Sequence, residues 1–114
     1  MVRSILALFS FVLILVLSCS KPTEQFPENH PPVIDPIPDI MVNEEETVVL
    51  NPTATDPDGN KVTLTYSGWM SSSTYTTKKC TDRGEHTVSV TASDGIASTS
   101  EDVQVIVVAV QSSI

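Results

Sequence analysis

Apolar and polar residues alternate along most of the chain after residue 33. In residues 62–66 the even positions are apolar and the odd positions are threonine, and residues 86–92 repeat this arrangement. Residues 103–107 alternate in the same way, with the odd positions apolar. Strict alternation rich in valine and threonine predicts antiparallel strands that bury one face.

Three further segments complete the predicted set of strands. Residues 46–50 form a short β-type run, residues 73–77 form a weaker one, and residues 33–42 are interrupted by Pro36 and Pro38, which suits an edge strand. Turn-forming residues separate the runs at Pro52, at residues 57–59 and at residues 94–95. No window after the N-terminal segment shows helical periodicity. The pattern predicts an all-β sandwich of about seven short antiparallel strands over residues 33–110, followed by a tail at residues 111–114.

The N-terminal segment has the pattern of a secretory signal. Arg3 precedes an apolar stretch at residues 5–17. A helix of that length spans only ~20 Å, less than the roughly 30 Å of a hydrocarbon core, which disfavours a membrane-spanning helix. Residues 15–19, Leu-Val-Leu-Ser-Cys, resemble the lipobox of bacterial lipoproteins. The resemblance implies that residues 1–18 are removed, that Cys19 is lipidated, and that the protein is anchored in the cell envelope, at the outer membrane or cell surface. An ordinary signal peptide and an uncleaved anchor are the alternatives.

Residues 19–32 are predicted to link this anchor to the domain. Four of them are proline, at positions 22, 27, 31 and 32, and most of the others are polar. Such a segment favours extended polyproline geometry at ~3.1 Å per residue. We therefore expect a semi-rigid linker that holds the domain away from the membrane.

Charge and cysteine content exclude several classes of function. The chain has 6 basic and 14 acidic residues, and the net charge becomes −9 when Arg3 is removed with the signal. Nucleic-acid binding needs clustered basic residues, which this chain lacks. An acidic chain is also not attracted electrostatically to an anionic bilayer, so membrane attachment would depend on the lipid. Once Cys19 is acylated, Cys80 has no disulfide partner, and we expect it to be a small structural residue.

The predicted domain resembles bacterial immunoglobulin-like modules of the cadherin-like and PKD-like kind. The stretches that carry the resemblance are residues 29–33 (Asn-His-Pro-Pro-Val), 54–60 (Ala-Thr-Asp-Pro-Asp-Gly-Asn), 84–90 (Gly-Glu-His-Thr-Val-Ser-Val) and 92–95 (Ala-Ser-Asp-Gly). The resemblance implies a Greek-key sandwich in which His86 replaces the usual corner tyrosine and Trp69 fills the core. Sugar stacking by an exposed Trp69 is the alternative, as is metal binding by His86.

The same resemblance implies a calcium site. Asp56 and Asp58 lie where cadherin-type repeats place calcium-binding carboxylates, and loops at one end of such a sandwich would bring Asn60 and Asp94 near them, beside the linker residues Glu28 and Asn29. Closely spaced carboxylates suit calcium. The competing interpretation is that these residues only form turns. It is favoured over tight calcium binding because the linker has few carboxylates. Residues 44–46, three glutamates at the opposite end, are expected to form a solvated turn.

The sequence favours a non-catalytic, membrane-tethered interaction or spacer module, related to adhesion, with a protein or polysaccharide as its ligand. Catalysis is disfavoured because only His30 and His86 are available as imidazole bases, and because a domain of this size rarely has a cleft. The first alternative is a carbohydrate-binding module that uses Trp69, Tyr66 and Tyr75. The second is a truncated repeat of a larger calcium-binding adhesin.

Overall fold

A computed structural model describes residues 26–111, which form eight strands and no helix. The strands are β1 (Val33–Ile34), β2 (Ile40–Asn43), β3 (Thr47–Val49), β4 (Ala54–Thr55), β5 (Thr63–Gly68), β6 (Thr74–Thr76), β7 (Gly84–Ser93) and β8 (Ser98–Val108). Within this range no helix is long and apolar enough to cross a membrane. The predicted signal sequence, Cys19 and the rest of the predicted linker up to residue 25 lie outside the described residues.

The strands pair in three groups. Four of them form a sheet in the order β2-β8-β7-β5, while β1 pairs with β4 and β3 pairs with β6. All pairs are antiparallel except β2 and β8, which run parallel with Met41 opposite Ile106. The longest pairing joins β7 to β8, from Ser93 opposite Ser98 to Gly84 opposite Val107. The four-stranded sheet therefore forms the main body of the molecule.

Alternating residues of the long strands build one hydrophobic core. Val88 and Val90 of β7 and Val103 and Val105 of β8 are fully buried, as is Val48 of β3. The cluster also contains Leu50, Met70 and Val107. Burial of such side chains contributes about 1.5–3 kcal/mol each. Because these residues come from β3, β7 and β8, the core joins the β3–β6 pair to the four-stranded sheet.

The prediction of an all-β fold is confirmed, and the predicted inward positions of β7 and β8 are the buried ones. Two details differ from the expectation of about seven antiparallel strands. The residues 33–42 give two separate strands, β1 and β2, on either side of Pro36 and Pro38, and β2 pairs in parallel. The two-residue strand β4 was not predicted, because Ala54 and Thr55 are too short a run to show alternation.

Candidate functional site

The polar residues singled out in the sequence lie together at one end of the molecule. Asp56, Asp58 and Asn60 belong to the loop between β4 and β5, and Asp94 begins the turn between β7 and β8. Asn29 and His30 reach this end just before β1, through contacts with Asp94 and Asp58. We call these six residues the loop-end cluster. The side chain of Glu28, the other linker residue expected here, makes no hydrogen bond among the described residues, although Glu28 lines the adjacent surface hollow.

Asp56 organises the loop that contains it. Its Oδ1 accepts hydrogen bonds from the backbone N–H groups of Asp58, at 2.8 Å, and Asn60, at 3.2 Å. Its carbonyl accepts the N–H of Gly59 at 3.0 Å, and Gly59 takes a positive φ of 79°. Aspartate bonding to the backbone two residues on, followed by a left-handed glycine, is a turn-forming arrangement. One oxygen of Asp56 therefore serves the local fold.

Asp94 holds the turn between β7 and β8 and also fastens the linker. Its Oδ1 accepts the N–H groups of Ile96 and Ala97, both at 2.7 Å. Its Oδ2 accepts the side-chain amide of Asn29 at 2.9 Å. The backbone N–H of Ala97, followed by the Asn29 amide, lowers the pKa of Asp94 to about 2. Asp94 is thus an ionised acceptor that ties residue 29 to a turn 65 residues later.

His30 makes the second connection between the linker and the loops. Its backbone N–H donates to Asp58 Oδ2 at 2.7 Å, and its Nδ1 lies 3.0 Å from Asp58 Oδ1. The side-chain hydrogen bond raises the pKa of His30, and the backbone N–H of His30 lowers the pKa of Asp58. Both groups face solvent, so the ion pair itself contributes little to stability. The pair instead fixes the position of the chain, because its two bonds hold residue 30 against the loop that contains Asp58.

The last linker residues pack into the domain. Pro32 is fully buried, and its carbonyl accepts the hydroxyl of Thr99 at 2.6 Å. Together with the contacts of Asn29 and His30, this contact holds three of the last four residues of the predicted linker against the domain. These contacts fix where the chain approaches β1, beside the loops that contain Asp58 and Asp94.

One atom of the loop-end cluster lacks a partner. Asp56 Oδ2 is buried and has no hydrogen bond. An orphaned carboxylate oxygen among other carboxylates and amide oxygens has the hard oxygen chemistry that calcium prefers, so the donor set fits that ion. Within residues 26–111, however, no three His, Cys, Asp or Glu side chains are arranged as a ready metal site. The amide of Asn29 already donates to Asp94 Oδ2, which leaves one lone pair of that oxygen for a cation.

The aromatic residues form a second, separate cluster. The Trp69 ring stacks on His86, with 4.1 Å between ring centroids and an interplanar angle of 10°, and lies 4.7 Å from the Tyr75 ring. Trp69 is partly buried and packs against the core, as do Tyr66 and Tyr75. Because the imidazole covers one face of the indole, the geometry favours packing over sugar stacking for Trp69.

His86 bonds to the backbone of the loop that precedes β7. Its Nε2 lies 2.6 Å from the carbonyl oxygen of Asp82, four residues earlier. A carbonyl only accepts, so Nε2 carries the proton. The Asp82 side chain in turn accepts the Tyr75 hydroxyl at 3.0 Å and the backbone N–H of Lys78 at 2.7 Å. His86 is thus a structural residue that closes the loop before β7.

A buried carboxylate at the opposite end was missed by the sequence analysis. Glu44 is only 2% exposed, and its Oε1 accepts Arg83 Nε at 2.9 Å and the backbone N–H of Val110 at 3.2 Å. Its Oε2 accepts the backbone N–H of Cys80. The expectation of a solvated turn over residues 44–46 is therefore wrong for Glu44. No local signal distinguishes it from Glu45, since its partners are at least 36 residues away in sequence.

Cys80 also differs from its predicted role. It is exposed rather than packed as a small apolar residue, and its backbone has a positive φ of 64°. The guanidinium of Arg83 lies 3.6 Å from its sulfur. The buried Glu44 carboxylate accepts the backbone N–H of Cys80, so it is the backbone of this residue and not its side chain that contacts the interior.

The low pKa of Asp94 predicts a stability difference that depends on pH. The ionised form is favoured in the folded state, so its contribution is fully present above the ordinary value of 3.8 and is lost as the pH falls towards about 2. We expect Asp94→Asn to be less stable than wild type at pH 6 and equally stable near pH 2, in urea unfolding followed by circular dichroism. Asp102→Asn, which changes an exposed carboxylate of β8, is the matched control. A gap for Asp94→Asn that stays constant across this range would contradict the assignment.

Comparison of the chain with protein-family models, with curated proteins and with solved structures finds no match in any of the three.

Proposed function

We propose that this chain is a non-catalytic, lipid-tethered, immunoglobulin-like module that acts as a spacer or interaction domain of a bacterial cell envelope. The strand order supports the immunoglobulin-like part of the proposal. One layer would be the β2-β8-β7-β5 sheet and the other the β1–β4 and β3–β6 pairs, with one core joining them. The chain passes repeatedly between the two layers, as in a Greek-key sandwich.

The observation that carries the proposed tethering role is the fastening of residues 29–32 to the loop end. Asn29 binds Asp94, His30 binds Asp58, and the Pro32 carbonyl binds Thr99. A flexible linker would leave the domain free to tumble, whereas these bonds give it a defined direction relative to the chain that precedes it. If Cys19 is held at a membrane, the loop end faces that membrane and the Glu44 end projects outward.

The hydrogen bonds that the polar residues make within the fold support a non-catalytic role. His86 donates to a backbone carbonyl and stacks on Trp69, and His30 is held by Asp58. Asp94 and Asp56 accept backbone N–H groups in turns. A general base must reach a reacting group, and these side chains are committed to the fold instead.

The tethering proposal is tested by changing Cys19 to alanine in the full chain, expressed in a bacterium that processes lipoproteins. We expect wild-type protein in the membrane fraction, resistant to extraction by high salt, because at least two acyl chains anchor a protein stably. We expect Cys19→Ala protein in the soluble envelope fraction or in the medium. Ser20→Ala is the matched control and should remain with the membrane. Equal distribution of wild type and Cys19→Ala would contradict the proposal.

Calcium binding at the loop-end cluster is the second candidate function, favoured by the unpartnered Asp56 Oδ2. The ion would be held by Asp56, Asp58, Asn60 and Asp94. It would thereby join the two loops that contain these residues, beside the linker. A ligand present at 100 times its dissociation constant stabilises the folded state by about 2.7 kcal/mol. We therefore expect millimolar calcium to raise the melting temperature of the wild-type protein and to leave that of Asp56→Asn unchanged. Equal melting curves for the wild type with and without calcium would assign these residues to turn formation alone.

A further inference from the structure

The two most exposed large apolar side chains of residues 26–111 lie at the same end of the molecule. Phe26 is 83% exposed and Ile96 is 77% exposed. Phe26 directly precedes Pro27, and Pro27 and Ile96 line one surface hollow beside the loop-end cluster. We call Phe26, Pro27 and Ile96 the apolar tip. Scattered single apolar residues are ordinary on a protein surface, whereas neighbouring ones indicate a contact surface.

Ile96 is an unusual residue for its position. It lies in the turn between β7 and β8, where glycine, asparagine, aspartate and serine are the common residues. Ile96 does not belong to the hydrophobic core or to the residues packed against it. The fold therefore gives no reason for an apolar side chain at this turn.

The backbone of this turn has no free N–H donor. The Gly95 N–H donates to Ser93 Oγ at 3.1 Å, and the N–H groups of Ile96 and Ala97 both donate to Asp94 Oδ1 at 2.7 Å. An unpaired backbone N–H is costly to move from water into a less polar medium. Because these three donors are already paired, the turn can enter such a medium without leaving an N–H group unsatisfied.

The path of the chain indicates which medium lies nearest to the apolar tip. Residues 19–25 connect the predicted lipid anchor to Phe26, and seven residues reach at most about 25 Å when fully extended. The contacts of Asn29, His30 and Pro32 hold the following residues against the loop end. A bilayer that holds Cys19 is therefore within reach of the apolar tip.

We propose that the apolar tip inserts into the headgroup region of the bilayer that holds the anchor; this inference rests on the proposed tether. Apolar side chains leave water when they enter this region, and the tether keeps them close to it. Glu28 and Asp58 lie beside the tip and are repelled by anionic lipids. The surface that fits the tip is therefore zwitterionic phospholipid. The contact gives the domain a second point of attachment, which fixes its orientation on the membrane.

The experiment uses the full mature lipidated protein on phosphatidylcholine vesicles with brominated acyl chains, which quench tryptophan fluorescence at close contact. Ile96→Trp places a reporter at the tip and keeps an apolar side chain there. We expect brominated vesicles to quench it more than unbrominated ones do. Met41→Trp is the matched control, because Met41 is also an exposed apolar residue but lies on β2, at the Glu44 end. The wild type supplies the baseline from Trp69.

A second substitution tests whether Phe26 shares the contact. We expect Phe26→Ser to reduce the quenching of Ile96→Trp protein, and Val49→Ser, which changes an exposed apolar residue of β3, to leave it unchanged. Flotation of the vesicles reports tethering separately, and circular dichroism establishes that each variant is folded. Protein that does not float contradicts the proposed tether. Folded protein that floats while Ile96→Trp and Met41→Trp are quenched equally, or whose quenching Phe26→Ser leaves intact, overturns only the insertion of the tip.

Discussion

Replacement of Glu44 by glutamine is expected to lower the melting temperature of the protein by on the order of 10 °C. The Glu44 carboxylate accepts the backbone N–H groups of Cys80 and Val110 and the guanidinium of Arg83. The amide keeps one accepting oxygen and places a donor group against another donor. At least one of these N–H donors then loses its partner, and hydrogen bonds to a charged acceptor are stronger than neutral ones.

The pH dependence of this loss follows from the same contacts. The Cys80 N–H, with Arg83 and Val110, lowers the pKa of Glu44. The stabilisation is therefore present above the ordinary value of 4.5 and disappears as the pH falls through the lowered one. The difference between wild type and Glu44→Gln should be full at pH 7 and should close in acid.

Glu45→Gln supplies the control for this prediction. Glu45 is the next residue, is exposed, and makes no side-chain hydrogen bond among the described residues. Its substitution should shift the melting temperature by no more than about 2 °C. If Glu44→Gln and Glu45→Gln have the same melting temperature at pH 7, the buried carboxylate of Glu44 does not stabilise this end of the molecule.

Replacement of Gly68 by alanine is expected to destabilise the protein by about 3–4 kcal/mol. Gly68 ends β5 with a φ of 88°, where a side chain is strained. A Cβ atom at this position would lie 2.7 Å from the carbonyl oxygen of Thr87, which belongs to the backbone of β7 and cannot rotate away. That carbonyl accepts the N–H of Trp69, so its displacement would also disturb the aromatic cluster.

Gly59→Ala and Gly95→Ala separate the two causes of this loss. Both glycines have positive φ values, 79° and 95°, but a Cβ there meets no atom within 4 Å. We expect about 1–2 kcal/mol for each, from backbone strain alone. Urea unfolding of the three variants provides the comparison. A loss for Gly68→Ala that equals the other two would show that the Thr87 carbonyl moves without cost.

The strands were predictable because their cause is local. Alternation in residues 62–66, 86–92 and 103–107 is visible in the sequence, and burial follows it in Val88, Val90, Val103 and Val105. The parallel pairing of β2 with β8 was not predictable in this way. Pro36 and Pro38 show where the first segment breaks, but the choice of partner depends on a strand 65 residues away.

In the candidate site, too, the local contacts could be predicted from the sequence and the long-range contacts could not. The residue types of the loop-end cluster are readable as turn formers, and Asp56 and Asp94 do bond to backbone N–H groups within four residues. The bonds of Asn29 and His30 to these loops require the tertiary fold. Glu44 is the extreme case, because three consecutive glutamates predict solvent exposure and only the distant Arg83 loop decides which one is buried.

The two ends of the molecule have different characters in the proposed function. The loop end holds the linker through Asn29, His30 and Pro32, and the opposite end carries Glu44. A tether at the first end would present the second end away from the membrane. The anchor is the premise on which this orientation depends.

The intact mass of the mature protein, isolated from bacterial membranes, tests that premise most directly. We expect a chain that begins at Cys19 and is heavier than its polypeptide by the mass of two or more acyl chains, and we expect alkaline hydrolysis to remove the ester-linked part. A polypeptide of unmodified mass, whether it begins at Met1 or after cleavage at another residue, would contradict the proposed tether.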